Sequence, residues 1–151
     1  MTLADFIARC DNLKTSLSVE IDKYMTEMVT NLYNTLNLRV FTRHIDFDGA
    51  KFIQYTPGYA KWKAKKYPSK FTGERNFELT GNMKANFKMF KAGDLLYTIG
   101  WMDSDLEKLA GYNSDAAKQA SIISLADIER TKEIEKFNKK VTELFRTILT
   151  S

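Results

Sequence analysis

The chain has 151 residues, a formal net charge of +4 and one cysteine, so it is long enough to bury a sizeable single core without a metal, and it cannot form an internal disulfide. No apolar run approaches the ~20 residues of a membrane span. The N-terminus MTLADFIARC carries acid where a secretory signal carries base, so the sequence reads as soluble and intracellular when made.

Thr2 with Asp5 makes a capped helix start, after which Leu3, Phe6, Ile7, Cys10, Leu13, Leu17, Ile21, Tyr24, Met28 and Leu32 recur at three- and four-residue spacing. This predicts one long amphipathic helix over residues 1–37, with Cys10 as a small core residue on its apolar face. Asn31, Asn34 and Asn37 favour its ending, and Leu38-Arg39-Val40-Phe41-Thr42 reads as a short extended piece. Such a helix is about 50 Å long against a radius of gyration near ~15 Å for a domain of this size. Part of it should therefore overhang the globule and want a partner, the simplest being another copy of the chain.

Arg43 to Ala50 contains the only histidine. His44, Asp46 and Asp48 alternate, so on an extended strand they would point the same way and could hold a metal, as in a hydrolase. Against this, Asp48-Gly49 is an ordinary tight-turn pair, and no further ligands follow at calcium-loop spacing. No nucleophile is marked for His44 to activate, and neither a catalytic residue nor a cofactor is indicated.

The stretch from Tyr55 to Trp101 holds the densest basic run and most of the aromatics. Residues 51–100 carry ten Lys/Arg against three Asp/Glu, whereas 1–50 carry five against seven and 101–151 eight against nine. After a short extended segment at Lys51 to Tyr55, Pro57 opens a helix over 57–67, capped by Thr56 and stopped by Pro68. Tyr59, Trp62 and Lys63 or Lys66 share one side of it, while Lys61 and Lys65 share another. The favoured expectation is core aromatics beneath a solvated basic face, with lysine stems over the apolar edge. The alternatives are a protein-contact surface made of Tyr59, Lys61, Trp62, Lys63, Lys65, Lys66 and Lys70, or a nucleic-acid-binding module using Tyr59 to Lys70.

Ser69 to Leu79 reads as a loop that can move, with a turn at Thr72-Gly73. Met83, Ala85, Phe87 and Met89 alternate with lysine and asparagine as in a strand, although Met83, Phe87 and Phe90 also fit a helical face. Lys91-Ala92-Gly93-Asp94 as a hairpin loop and Leu95, Tyr97, Ile99 and Trp101 beyond it favour two antiparallel strands. Ser104 with Glu107 makes a capping box for a brief helix closed by Gly111, Tyr112 to Ser121 reads as a linker, and Ser124 with Asp127 starts a last helix over 124–149. The fold expected is α+β in a single domain over 1–151: a small antiparallel sheet within 38–101, with a long N-terminal helix and a long C-terminal helix packed on it.

The order of parts from Ile45 to Gly111 resembles the virion-morphogenesis, or tail-completion, proteins of tailed bacteriophages. The matching residues are the Asp46-Phe47-Asp48-Gly49 turn, the Tyr59-Ala60-Lys61-Trp62-Lys63 helix start, Leu79-Thr80-Gly81-Asn82-Met83, and the strands to Ile99-Gly100. The chain departs from that pattern after the hairpin, where relatives show a histidine and a glycine leading to an Arg-Pro. The resemblance implies a non-enzymatic structural protein of the virion neck or tail top, assembled in the host cytoplasm as a homo-oligomeric ring. Its partners would be its own copies and other neck or tail proteins such as the connector, tail terminator or portal-adjacent subunits. No membrane partner is implied, and nucleic acid enters only as DNA passing a channel.

Overall fold

Thr2 sets the first element in place by a reciprocal cap: its hydroxyl accepts from the Asp5 amide at 3.1 Å, and the Asp5 carboxylate accepts from the Thr2 amide at 2.7 Å. These bonds hold the Asp5 carboxyl below its ordinary value. The computed structural model describes residues 2–76, 81–108, 110 and 125–150, with Leu149 described by its backbone only. The helix that follows, α1, is Leu3–Leu38. At 36 residues it is about 54 Å long.

The expected extended piece after it is instead a wide helical turn over Arg39–Arg43. Val40 and Phe41 are buried there against Phe52, Met83 and Phe87, so a tertiary contact overrides the strand preference of a β-branched and aromatic run. His44, at φ 55, takes the left-handed conformation that ends the turn. The chain then doubles back. Ile45 and Lys51 form an isolated antiparallel bridge around the Asp46 to Gly49 turn, in which Gly49 has φ 81.

Helix α2 is Pro57–Lys66, with proline at its first position, although the Thr56 side chain makes no capping bond. A second correction concerns residues 83–87. Asn82–Asn86 is a single helical turn, α3, rather than strand, so Met83 and Phe87 are buried as a helical pair. The strands are β1, Lys88–Gly93, and β2, Leu96–Gly100, paired antiparallel with Met89 opposite Ile99 and Lys91 opposite Tyr97. The turn falls at Asp94-Leu95, two residues later than the loop centred on Ala92-Gly93 that the sequence suggests, with a bulge at Lys91 to Gly93 and Leu95 at φ 53.

A brief helix, α4, occupies residues 104–108. Its cap is Asp103, whose carboxylate accepts from the Asp105 amide at 2.8 Å, one residue before the Ser104 expected. The closing Gly111, the linker Tyr112 to Ser121 and the Ser124 start lie outside the described residues. The last helix, α5, is Asp127–Thr150.

The architecture is α+β, with a two-stranded antiparallel sheet and long N- and C-terminal helices. α1 is its spine and uses two faces. One lies on the hairpin: Lys91 pairs with Asp22 at 2.7 Å, Thr26 shares a hydrogen bond with the Tyr97 hydroxyl at 2.7 Å, and Tyr33 donates to the Phe87 carbonyl at 3.2 Å. The other receives α5, through Lys140 on Glu27, Asn31 donating to Glu133 at 3.0 Å and Arg39 to Glu129 at 3.0 Å. Residue numbers fall along one helix as they rise along the other, so the pair is antiparallel. The core sits where α1, the wide turn and α3 meet. Phe87 is 1% exposed, with ring centroids of Trp101, Phe41 and Tyr33 at 5.0, 5.4 and 5.8 Å.

Candidate functional site

Of the three polar residues considered as metal ligands, Asp46 serves the backbone of a turn and the other two point elsewhere. Asp46 is buried, and its Oδ1 accepts from the amides of Asp48 at 3.0 Å and Ala50 at 2.9 Å, closing an Asx turn. His44 faces Glu74 at 3.8 Å, and Asp48 is exposed. Glu74 also receives Lys51, whose hydrogen bond holds its carboxyl below the ordinary value. Among the described residues no three His, Cys, Asp or Glu side chains converge in a way that could hold a metal.

The basic helix inverts the favoured expectation. Its aromatics are uncovered, Tyr59 at 39% and Trp62 at 42% exposed, while Lys63 is only 1% exposed. Tyr55, Tyr59, Trp62 and Tyr67 form a chain of neighbouring rings, with centroids 4.8, 5.3 and 5.7 Å apart in that order. Lys66 lies over both Trp62 and Tyr67, at 5.5 and 5.9 Å. Lys61 and Lys65 are exposed, and Lys70 is half-buried. Of the seven side chains expected to meet a partner, Tyr59, Lys61, Trp62, Lys65 and Lys66 are therefore on the surface, and Lys63 is withdrawn from it.

Lys63 is withdrawn because it is the centre of a polar knot. Its Nζ donates to the Tyr55 hydroxyl at 3.1 Å and to Oδ1 of the buried Asn76, and it lies 4.8 Å from the Tyr55 ring centre. Asn76 in turn donates to the Lys70 carbonyl at 3.1 Å and the Thr72 hydroxyl at 3.3 Å, and its own carbonyl accepts from Tyr55. Burial pushes the Tyr55 hydroxyl above its ordinary value, and the neighbouring Tyr59 adds to the rise. The Arg75 guanidinium also lies over Tyr55, at 5.2 Å. The loop expected to move is thus tied to α2 from Lys70 to Asn76; its end, including Leu79 and Thr80, falls outside the described residues. A charged residue locked in this way is hard to see in sequence. Its only signal is the lysine that shares the aromatic side of α2.

A second uncovered surface is the start of α1. Every described residue from Thr2 to Ser16 is exposed, with Leu3 at 75%, and Leu17 is the first to be half-buried. Carried on in the register of its pairs with α1, the end of α5 comes level with about residue 16. Cover therefore stops where the partner helix stops. Cys10, expected in the core, is exposed for that reason.

No family model, curated protein or solved structure matches the chain. Among the described residues no helix is long and apolar enough to cross a membrane.

Proposed function

We propose that the chain is a structural virion protein of a tailed phage, a tail-completion or head-tail joining (neck) subunit that acts without catalysis as a homo-oligomeric ring. The observation that carries the assembly part of this reading is the overhang: about four turns of helix present an apolar stripe that no described residue covers, while the rest of α1 is clamped between hairpin and α5. A protein whose work is assembly needs surfaces of this kind. The Tyr59-Trp62 face of α2, rimmed by Lys61, Lys65 and Lys66, is another, with rigid aromatics for burial and lysines that select an acidic surface. The Asp46 to Gly49 turn, the Tyr59-Ala60 helix start and the hairpin ending at Gly100 follow one another in the order of the resemblance.

Native mass spectrometry of the purified chain, with and without virion proteins, tests this. A discrete ring, or a defined complex with a neck or tail protein, is expected; a monomer missing from purified virus particles would refute it.

The exposure of Tyr59 and Trp62 beside three exposed lysines favours one second reading, a nucleic-acid-binding module. It requires affinity that falls steeply with salt and drops on replacing Lys61, Lys65 and Lys66, whereas a ring subunit shows little duplex binding at physiological ionic strength.

A further inference from the structure

The stripe on α1 that receives α5, marked by Tyr24, Met28 and Asn31, does not end where α5 ends. It runs on through Leu17, Leu13, Cys10, Phe6 and Leu3. Counted from Leu3 these five are spaced three, four, three and four residues apart, the a and d positions of two heptads and the a position of a third. The other face of α1, which meets the hairpin through Asp22, Thr26 and Thr30, continues through one large apolar residue, Val19, and then as Ser18, Thr15, Asp11, Ala8 and Ala4. Beyond residue 17, then, the helix is prepared for a second helix in line with α5 and not for a sheet.

Charge narrows the choice of that helix. Within the covered part, the same register places Glu20 and Glu27 on the seam at d, and α5 meets Glu27 with Lys140. In the overhang the seam itself is apolar, and the positions on either side of it hold Arg9 and Lys14 and no acid. Two overhangs paired in parallel would set Arg9 against Lys14, and paired antiparallel would set Arg9 against Arg9 or Lys14 against Lys14. Both arrangements oppose like charges. The outer face of α5 is no better suited, since Arg130, Lys132, Lys139 and Arg146 outnumber its exposed acids.

We propose that the Leu3–Leu17 overhang is a docking helix for an amphipathic helix of a different protein, one whose apolar seam is flanked by Asp or Glu. This deepens the assembly reading by giving the chemistry of one neighbour, and it rests on that reading only for the neighbour's place in a virion.

The test uses the full chain and two labelled synthetic helices of three heptads, with the same leucine seam and either Glu or Lys at every flanking position. Fluorescence anisotropy should show the Glu peptide binding about tenfold or more tightly than the Lys peptide at low salt, with the gap narrowing as salt rises. The double substitution Arg9→Glu with Lys14→Glu should reverse the preference, and Leu13→Asp should abolish binding of both. Because these positions are solvent-exposed, circular dichroism of each variant should match the parent. Equal binding of both peptides, binding of neither, or self-association of the chain that Leu13→Asp removes would overturn the proposal, as would binding of anionic lipid vesicles in preference to the Glu peptide. Native mass spectrometry on the same sample separates the two readings: a monomer that still selects the Glu peptide refutes the ring and leaves this inference standing.

Discussion

The Lys63 ammonium group donates to the Asn76 side-chain oxygen, and both residues are shut off from solvent, at 1% and 2% exposure. This contact, with Tyr55 as third partner, binds α2 to the Lys70 to Asn76 loop across a gap of thirteen residues. It seats α2 on that loop while Tyr59 and Trp62, beside the lysine on the same helix, stay exposed.

Lys63→Ala should therefore behave as a core mutation. It removes a buried stem and leaves the Asn76 oxygen without its lysine donor, costing about 2–4 kcal/mol in urea or thermal unfolding. Lys61→Ala, one turn-face away and exposed, should stay within about 0.5 kcal/mol. Equal, small effects at both positions would show that the knot does not hold the loop.

The contrast between Lys61 and Lys63 also marks how far the sequence could be read. Two long helices, a hairpin whose Tyr97, Ile99 and Trp101 share a face, and an overhang were all legible, because each is a matter of period or length. What was hidden depended on partners distant in the chain. Val40 and Phe41 look like strand until Phe87 is placed against them, Lys63 looks solvated until Asn76 reaches it, and Cys10 looks like core until the length of α5 is known. Met83 and Phe87 fit both periods, and the fourth-residue spacing prevailed because both had to reach the same core.

Acid should loosen the hairpin from α1. The hydrogen bond from Lys91 is the main reason that the Asp22 carboxyl lies below its ordinary value, with Tyr97 donating at 3.0 Å in support. A carboxyl lowered in the folded state contributes stability that is present above its unfolded value, near ~4, and is lost as pH falls below it. Glu74, lowered by Lys51, acts in the same direction. The melting temperature of Asp22→Asn should thus lie below that of the parent near neutrality, and the difference should close as pH falls toward about 3. A constant difference across the range would mean that the ion pair is not the cause.

Cys10 gives an independent view of the overhang, since its thiol is exposed on the seam. A maleimide should label it in the native chain about as fast as in the urea-unfolded chain. Seating an acid-flanked helix should slow labelling at least several-fold, because the partner covers the a position that Cys10 occupies. Slow labelling of the chain alone would show that its own copies already cover the stripe.

The division between core and overhang is open to a direct comparison of two apolar truncations. Phe87 packs against Tyr33, Phe41 and Trp101 within one enclosed cluster, so Phe87→Ala should cost about 3–5 kcal/mol through lost burial and the cavity left behind. Leu13 is 51% exposed and lies beyond the end of α5, so Leu13→Ala removes little buried surface and should change unfolding by no more than about 0.5 kcal/mol. Alanine's higher helix propensity would partly offset even that loss. If instead Leu13→Ala destabilised the isolated chain as Phe87→Ala does, the stripe would already be covered, and the surface proposed to receive a neighbour would not be free.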